Sequence, residues 1–214
     1  RYIIEQPLRP PDAFSSLATR LRVQDRPDLA LVYGSGLGLT EHHREKMAGV
    51  IGDQAKTAVY TDTDGLLSAM RAGPAAVYFY CHGGNTAYRQ WLVVGKNDPL
   101  MPSYLDERMR AAWVERAPLI VLNGCHTANY GPATLLSFVH RFGALGAAGV
   151  IGTQIPIHEH LGDAFGQILM ERLLSGEAVG KIVRDFRRDL LGKRNVLGLA
   201  YVPYCYADLR IERA

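Results

Sequence analysis

The chain of 214 residues is long enough for one ordinary domain or two small ones. Hydrophobic residues make up 48% and charged residues 21%, a balance typical of soluble globular proteins that excludes a disordered chain. A formal net charge of +3 is too small to indicate a nucleic-acid or membrane-surface partner. Three cysteines cannot form a disulfide framework, so we expect a reducing compartment and a cytoplasmic protein.

From residue 29 onwards, short apolar runs alternate with amphipathic stretches, which predict buried strands and helices respectively. The predicted strands are 29–33, 76–81, 91–95, 118–122 and 148–153. The predicted helices are 41–50, 63–72, 106–116, 135–142, 158–174 and 178–191. Residues 1–28 show no clean period and are interpreted as a lead-in or a linker remnant.

This alternation predicts one α/β domain over residues 29–214, with a mainly parallel sheet covered by helices on both faces. The chain begins with Arg1 rather than Met and shows no signal-peptide pattern. We therefore expect that an upstream segment was removed or that this is one domain of a longer protein.

Two predicted strands end in side chains with nucleophilic or basic groups. Cys81-His82-Gly83-Gly84 ends the strand over 76–81, and Asn123-Gly124-Cys125-His126 follows the strand over 118–122. Reactive groups in parallel sheets gather just past the carboxyl ends of the strands. A free thiol is only a few per cent thiolate at pH 7, and a neighbouring imidazole accepts its proton and later protonates a leaving amine.

The pattern leaves more than one pairing open. Neighbouring residues of an extended chain point to opposite faces, so Cys81 and His126 are competing choices. We predict His82 as the base, because it precedes the glycine pair, and Cys125 as the nucleophile, because it follows the longer apolar run. The amides of Gly83 and Cys125 would then form an oxyanion hole. A cysteine after a buried strand is more often a packing residue, so a catalytically silent domain also stays open.

These segments carry a family resemblance. Tyr-Phe-Tyr-Cys-His-Gly-Gly at 78–84 and Ile-Val-Leu-Asn-Gly-Cys-His-Thr-Ala at 120–128 resemble the two signature blocks of CHAT domains. CHAT domains are caspase-like cysteine peptidases, related to caspases and separases. In that family the strand–His–Gly block supplies the base and the second block supplies the nucleophile. The 43 positions from His82 to Cys125 are similar to the separation that the family commonly shows.

The resemblance extends over about residues 29–210. The segment Ile-Pro-Ile-His-Glu at 155–159 resembles the family's Trp-Pro-Val-x-Asp, with Ile155 in place of Trp and Glu159 in place of Asp. The resemblance implies a caspase-like three-layer sandwich and a cysteine endopeptidase that acts on a protein substrate without a cofactor or metal. It also implies a bacterial intracellular setting, a partner sensor or repeat domain, and a role in stress or antiviral defence.

In a caspase-like fold, the substrate cleft is bordered by the end of the first strand and by the stretch after 148–153. Here those stretches contribute Gly34, Ser35, Gln154 and Ile155, followed by Glu159. The two stretches carry no charge, and Glu159 is expected to lie inside the next helix. A buried cation without a partner is strongly disfavoured, so we expect an uncharged, aliphatic residue before the scissile bond.

Other motifs favour different functions. Gly34-Ser35-Gly36-Leu37-Gly38 lies between a strand and a helix, which suggests a nucleotide-binding regulator, but its spacing is not Gly-x-Gly-x-x-Gly. His42-His43 and His158-Glu159-His160 hint at a metal. Zinc needs three or four convergent ligands, and neither Cys-x-x-Cys nor His-Glu-x-x-His occurs, so no metal site is predicted.

Overall fold

A computed structural model describes residues 18–23, 25–86, 89–96, 98–128 and 137–213, in which eleven strands and six α-helices occur. The strands are β1 (Arg20–Val23), β2 (Asp28–Tyr33), β3 (Lys56–Tyr60), β4 (Ala76–Tyr80), β5 (Gly83–Asn85), β6 (Gln90–Val94), β7 (Asp98–Leu100), β8 (Leu119–Asn123), β9 (Gly149–Thr153), β10 (Tyr201–Tyr204) and β11 (Arg210–Arg213). The helices are α1 (Thr40–Ile51), α2 (Thr63–Arg71), α3 (Arg108–Trp113), α4 (Phe138–Leu145), α5 (Glu159–Leu174) and α6 (Val179–Gly192).

Six strands form the central sheet, in the order β10-β9-β8-β4-β2-β3. Its first five strands along the chain run parallel, and β10 pairs antiparallel with β9 at one edge. A smaller sheet holds β5, β6 and β7, and β1 pairs with β11. The prediction of an α/β fold with a mainly parallel sheet is confirmed.

Alternate residues of the central strands enter two separate cores. In β4, Tyr78 and Tyr80 lie in the core shared with α1, α5 and α6, whereas Val77 and Phe79 lie in the core shared with α2, α3 and α4. Because helices cover both faces, the strands have no polar side and read as continuous apolar runs. The arrangement is a three-layer sandwich, as predicted. None of the described helices has the length and apolarity needed to cross a bilayer.

Some elements differ from the sequence prediction where the pattern is weak. The prediction lacks β3, because four of its five side chains are exposed and an apolar run is therefore missing. The helix predicted over 135–142 begins later, at Phe138. Ser137 caps it by accepting a hydrogen bond from the His140 amide at 3.1 Å. Residues 135 and 136 lie outside the described residues.

The lead-in predicted over residues 1–28 includes a strand. β1 pairs in parallel with β11, and Leu21 is only 3% exposed. Arg20 and Arg22 on either side of it are exposed, so this four-residue strand shows no recognisable period in the sequence. Residues 1–17 lie outside the described part of the chain.

Candidate active site

β4 and β8 are neighbours in the central sheet and carry the two candidate segments. Their register pairs Tyr80 with Asn123, so both strands end at the same level. His82 follows β4 there, and Cys125 follows β8. The parallel register therefore brings the predicted base and the predicted nucleophile to one edge of the sheet.

Two glycines let these segments touch. A Cβ atom on Gly83 would collide with the Cys125 carbonyl, and a Cβ atom on Gly124 would collide with the Cys81 carbonyl. The colliding atoms belong to the backbone, so a larger residue at either position would push the segments apart. Gly83 and Gly124 thus set the close spacing of the two segments.

A small cleft of about 20 Å³, roughly the space of one water molecule, opens beside the two segments. His82 and Cys125 both line it, together with Glu159 from the start of α5. The other lining residues are Leu37, Tyr80, Cys81, Asn123, Gly124, Ile157 and Gly162. The cleft therefore combines a thiol, an imidazole and a carboxylate with apolar walls.

The competing residues are less suited to the chemistry. Cys81 is buried, and burial raises the pKa of its thiol to about 12, because a buried thiolate loses its hydration. Cys205 is buried as well, whereas Cys125 is partly exposed. His126 adopts a left-handed φ of 53° within the turn and does not line the cleft. Of the two cysteines at the cleft, Cys125 is the one suited to nucleophilic attack.

Two buried threonines hold the turn that presents Cys125. The Thr127 hydroxyl donates to the Leu122 carbonyl at 2.7 Å and accepts from the Thr153 amide at 3.0 Å. The Thr153 hydroxyl donates to the Gly124 carbonyl. These bonds satisfy polar groups of the turn away from water, so β9 holds the turn that carries Cys125 in place.

The Cys125 sulfur lies against the segment that precedes α5. The Ile157 amide donates to Cys125 Sγ at 3.4 Å, and Sγ donates to the Ile157 carbonyl at 3.5 Å. The backbone at Ile157 therefore covers the sulfur.

The two amides predicted for the oxyanion hole are open to an external acceptor. The Val93 amide donates to the His82 carbonyl at 2.9 Å, which makes these residues a hydrogen-bonded pair beside the β5–β6 ladder. The next pair, Gly83 and Leu92, is therefore a non-hydrogen-bonded pair, in which the amides point away from the partner strand. Since β5 is an edge strand, the Gly83 amide points out of its sheet. The Cys125 amide has no acceptor among the described residues.

The glycine-rich loop at 34–38 borders the cleft. Gly36 has a left-handed φ of +88°, and a Cβ there would lie 3.7 Å from the His82 ring. The Leu39 amide at the start of α1 donates to the Glu159 carboxylate at 3.0 Å. A carboxylate of the protein thus occupies the helix N-terminus at which a nucleotide phosphate would bind. This contact argues against the nucleotide-binding interpretation of the loop.

Of the five predicted substrate-binding residues, Glu159 lines the cleft. The amides of Gly34 and Ser35 donate to backbone carbonyls of neighbouring segments, at 2.8 Å each. Gln154 donates from its side chain to a tyrosine of β10 at 3.1 Å, and Ile155 is 43% exposed. These four residues lie outside the lining of the cleft.

Sequence reasoning missed several lining residues, for different reasons. Leu37 and Ile157 lie within two or three residues of the predicted substrate-binding residues. The course of the backbone in three dimensions decides which of these neighbours lines the cleft. Asn123 and Tyr80 belong to the two signature blocks, but nothing in those blocks indicates that their side chains line a cleft. Gly162 gives no sequence signal, because a helical glycine is common in any fold.

The model of the CHAT domain family matches residues 9–204. The chain belongs to the CHAT domain family. A probable protease of Vitiosangium sp. (strain GDMCC 1.1324) is 33% identical to it over 205 residues, which cover 89% of this chain and 26% of that protein. This CHAT domain therefore spans about a quarter of the length of the curated relative that it matches.

Solved structures of caspase-like peptidases share the fold of this CHAT domain. Gingipain R of Porphyromonas gingivalis, an Arg-specific cysteine proteinase, is similar with a TM-score of 0.64 and 12% identity, covering 86% of this chain and 47% of that one. The Drosophila initiator caspase Dronc is similar with a TM-score of 0.55 and 8% identity, covering 90% of this chain and 85% of that one. The predicted caspase-like fold is confirmed.

Proposed function

We propose that this CHAT domain is a cysteine endopeptidase, in which Cys125 attacks a protein substrate and His82 transfers the protons. The observation that carries the proposal is that His82 and Cys125 line one cleft at the ends of neighbouring parallel strands. Membership of the CHAT family and the resemblance to a probable protease support the same function.

The chemistry follows from the placement of these groups. The His82 imidazole accepts the Cys125 proton, and the thiolate attacks the scissile carbonyl carbon. The amides of Gly83 and Cys125 hold the oxyanion of the tetrahedral intermediate. The imidazolium then protonates the leaving amine, which leaves an acyl-enzyme. His82 finally deprotonates a water molecule, which hydrolyses the thioester and restores the thiol. No cofactor takes part in these steps.

Glu159 is the residue that we assign to recognition of the side chain before the scissile bond. Its carboxylate lines the cleft beside the apolar side chains of Leu37 and Ile157. A carboxylate beside apolar side chains offers complementary contacts for the charge and the stem of Arg or Lys once a substrate opens the cleft. We therefore propose a basic preference, which differs from the uncharged one expected from the sequence. Gln154 and Ile155, exposed near Ile157, are proposed to contact more distant substrate residues.

Covalent labelling separates an active peptidase from a catalytically silent interaction module, which has the same fold. A peptide carrying a thiol-directed electrophile should modify Cys125 in the native protein, because the cleft places the peptide beside the sulfur. Cys125→Ala should abolish the labelling, and Cys81→Ala should retain it. Mass spectrometry of the digested adduct identifies the labelled cysteine. Labelling no faster than that of a denatured sample would support the silent module.

A partner domain or subunit is proposed to activate the peptidase. In the structure, the Ile157 backbone covers the Cys125 sulfur, so the segment before α5 must move before a substrate carbonyl reaches it. We expect residues 1–214 alone to turn over a peptide at least about tenfold more slowly than the stimulated native polypeptide, because the open state is a minor one. Equal turnover of the two would contradict this regulation. A role in bacterial stress or antiviral defence extends the proposal on the basis of the family resemblance.

A further inference from the structure

We propose that a buried hydrogen-bond chain of Asp163, His43, Tyr78 and Asn123 positions Cys125 for attack. The inference rests on the proposed peptidase function and assigns these four side chains as positioning residues. This hydrogen-bond chain runs from a side chain of α5, through side chains of α1 and β4, to the last residue of β8. Asn123, at its end, stands two residues before the proposed nucleophile.

Each link of this hydrogen-bond chain is short, and the two links made by Tyr78 are buried. Asp163 Oδ1 lies 2.7 Å from His43 Nδ1, and His43 Nε2 lies 2.8 Å from the Tyr78 hydroxyl. Asn123 donates from Nδ2 to the Tyr78 hydroxyl oxygen at 2.7 Å. His43 and Tyr78 are fully buried, and Asn123 is 2% exposed. The two hydrogen bonds of the Tyr78 hydroxyl therefore lie away from water, where a broken hydrogen bond is costly.

One arrangement of protons satisfies every link. A carboxylate only accepts, so His43 donates from Nδ1 to Asp163 and accepts at Nε2 from the Tyr78 hydroxyl. The Tyr78 oxygen accepts from Asn123, and Asn123 Oδ1 accepts from the Tyr201 hydroxyl at 2.6 Å. Burial lowers the pKa of His43, which favours the neutral ring that this arrangement requires. The Asp163 carboxylate is thus linked through His43 and Tyr78 to the Asn123 amide.

Asn123 connects the hydrogen-bond chain to the start of α5, which borders the cleft. Its Nδ2 also donates to the Gly162 carbonyl in the first turn of α5, at 2.7 Å. The same turn begins with Glu159, which lines the cleft, and it follows Ile157, whose backbone contacts Cys125 Sγ. Asn123 therefore joins the strand that presents the nucleophile to the helix start that borders it.

α5 contains glycines where the hydrogen-bond chain needs room. Gly166 lies in the helix interior, where glycine is less stable than alanine. A Cβ on Gly166 would collide with the Tyr78 hydroxyl and lie 2.9 Å from His43 Cε1. A well-packed apolar core would be as stable without these polar side chains. A glycine inside a helix and polar side chains inside a core both lower the stability of the fold. Their presence is explained if the hydrogen-bond chain positions Cys125.

The rate at which iodoacetamide alkylates Cys125 tests the proposal without a substrate. Tyr78→Phe removes one hydroxyl and interrupts the hydrogen-bond chain. We expect Cys125 to react about tenfold more slowly at pH 7 in this variant, because the sulfur is displaced from the position that its contacts with the Ile157 backbone define. Mass spectrometry measures alkylation of each cysteine separately, and thermal melting establishes that the variant is folded.

Tyr33→Phe is the matched control. Tyr33 lies edge-on to the His43 ring, with ring centroids 6.1 Å apart, and is outside the hydrogen-bond chain. This variant also removes one hydroxyl from the same core, and its alkylation rate should stay within about twofold of wild type, as expected for a substitution that leaves the chain intact.

Two substitutions of His43 distinguish polarity from packing. His43→Gln keeps a donor toward Asp163 and an acceptor toward Tyr78, so the alkylation rate should stay within about twofold of wild type. His43→Leu fills the space without either bond and should react as slowly as Tyr78→Phe. In peptide cleavage, Tyr78→Phe should lower kcat and leave KM unchanged, because the hydroxyl lies behind the nucleophile and outside the substrate cleft.

A folded Tyr78→Phe protein that alkylates at the wild-type rate overturns the proposal. If Tyr78→Phe does not fold, the two His43 variants provide the test. Equally slow alkylation of Cys125 in His43→Gln and in His43→Leu overturns the proposal. The peptidase function fails separately, when wild type cleaves no peptide. In that case Tyr78-dependent alkylation of Cys125 still supports the positioning role.

Discussion

Replacing Cys125 with alanine should lower kcat/KM on a peptide substrate by about 10³-fold or more, because the attacking sulfur is lost. The fold should persist, since Cys125 is partly exposed at the cleft and lies outside both cores. A fluorogenic peptide assay measures kcat/KM, and the melting temperature of the variant should stay within a few degrees of wild type.

His82→Ala should be nearly as damaging as Cys125→Ala, and the double variant should be no worse than either, because residues that act as a unit do not contribute additively. Cys81→Ala is the matched control. It removes one sulfur from the neighbouring strand end, where burial holds the thiol pKa at about 12, and it should keep most of the activity. An inactive Cys81→Ala protein beside an active Cys125→Ala protein would show that the nucleophile was assigned to the wrong cysteine.

The central sheet was predictable from the sequence, and so was the proximity of the segments that follow β4 and β8. Both depend on the local pattern of hydrophobic residues. β4 and β8 are apolar runs buried on both faces, and parallel pairing places their carboxyl ends at one edge. His82 and Cys125 follow these runs directly, so the pattern was sufficient to bring them to one cleft. It was not sufficient to distinguish Cys125 from Cys81, because that distinction depends on burial in three dimensions.

The hydrogen-bond chain that ends near Cys125 gave no sequence signal. His43 and Asp163 are 120 residues apart, and only the packing of α1 against α5 makes them neighbours. In the sequence, His42 and His43 are two polar residues at the start of a helix, but His43 is fully buried while the His42 side chain is 52% exposed. Edge strand β3 was missed for the opposite reason, because its exposed residues carry no burial pattern.

The charge of the cleft also depends on a long-range contact. Glu159 is the first residue of α5, and its sequence position does not show which way the carboxylate points. The hydrogen bond from the Leu39 amide, 120 residues earlier, holds the carboxylate at the cleft. This contact is the physical reason why we propose a basic residue before the scissile bond, where the sequence alone led us to expect an uncharged one.

Glu159→Gln should therefore remove a preference for Arg before the scissile bond. Wild type should cleave an Arg peptide about tenfold or more faster in kcat/KM than the same peptide with citrulline, a difference of about 1.4 kcal/mol, because only the guanidinium pairs with a carboxylate. Gln keeps an oxygen for the Leu39 amide and loses the charge, so the ratio should fall to about one. Glu171→Gln, on an exposed part of α5, is the matched control and should keep the ratio. An Arg preference that survives in Glu159→Gln would place the selecting carboxylate elsewhere.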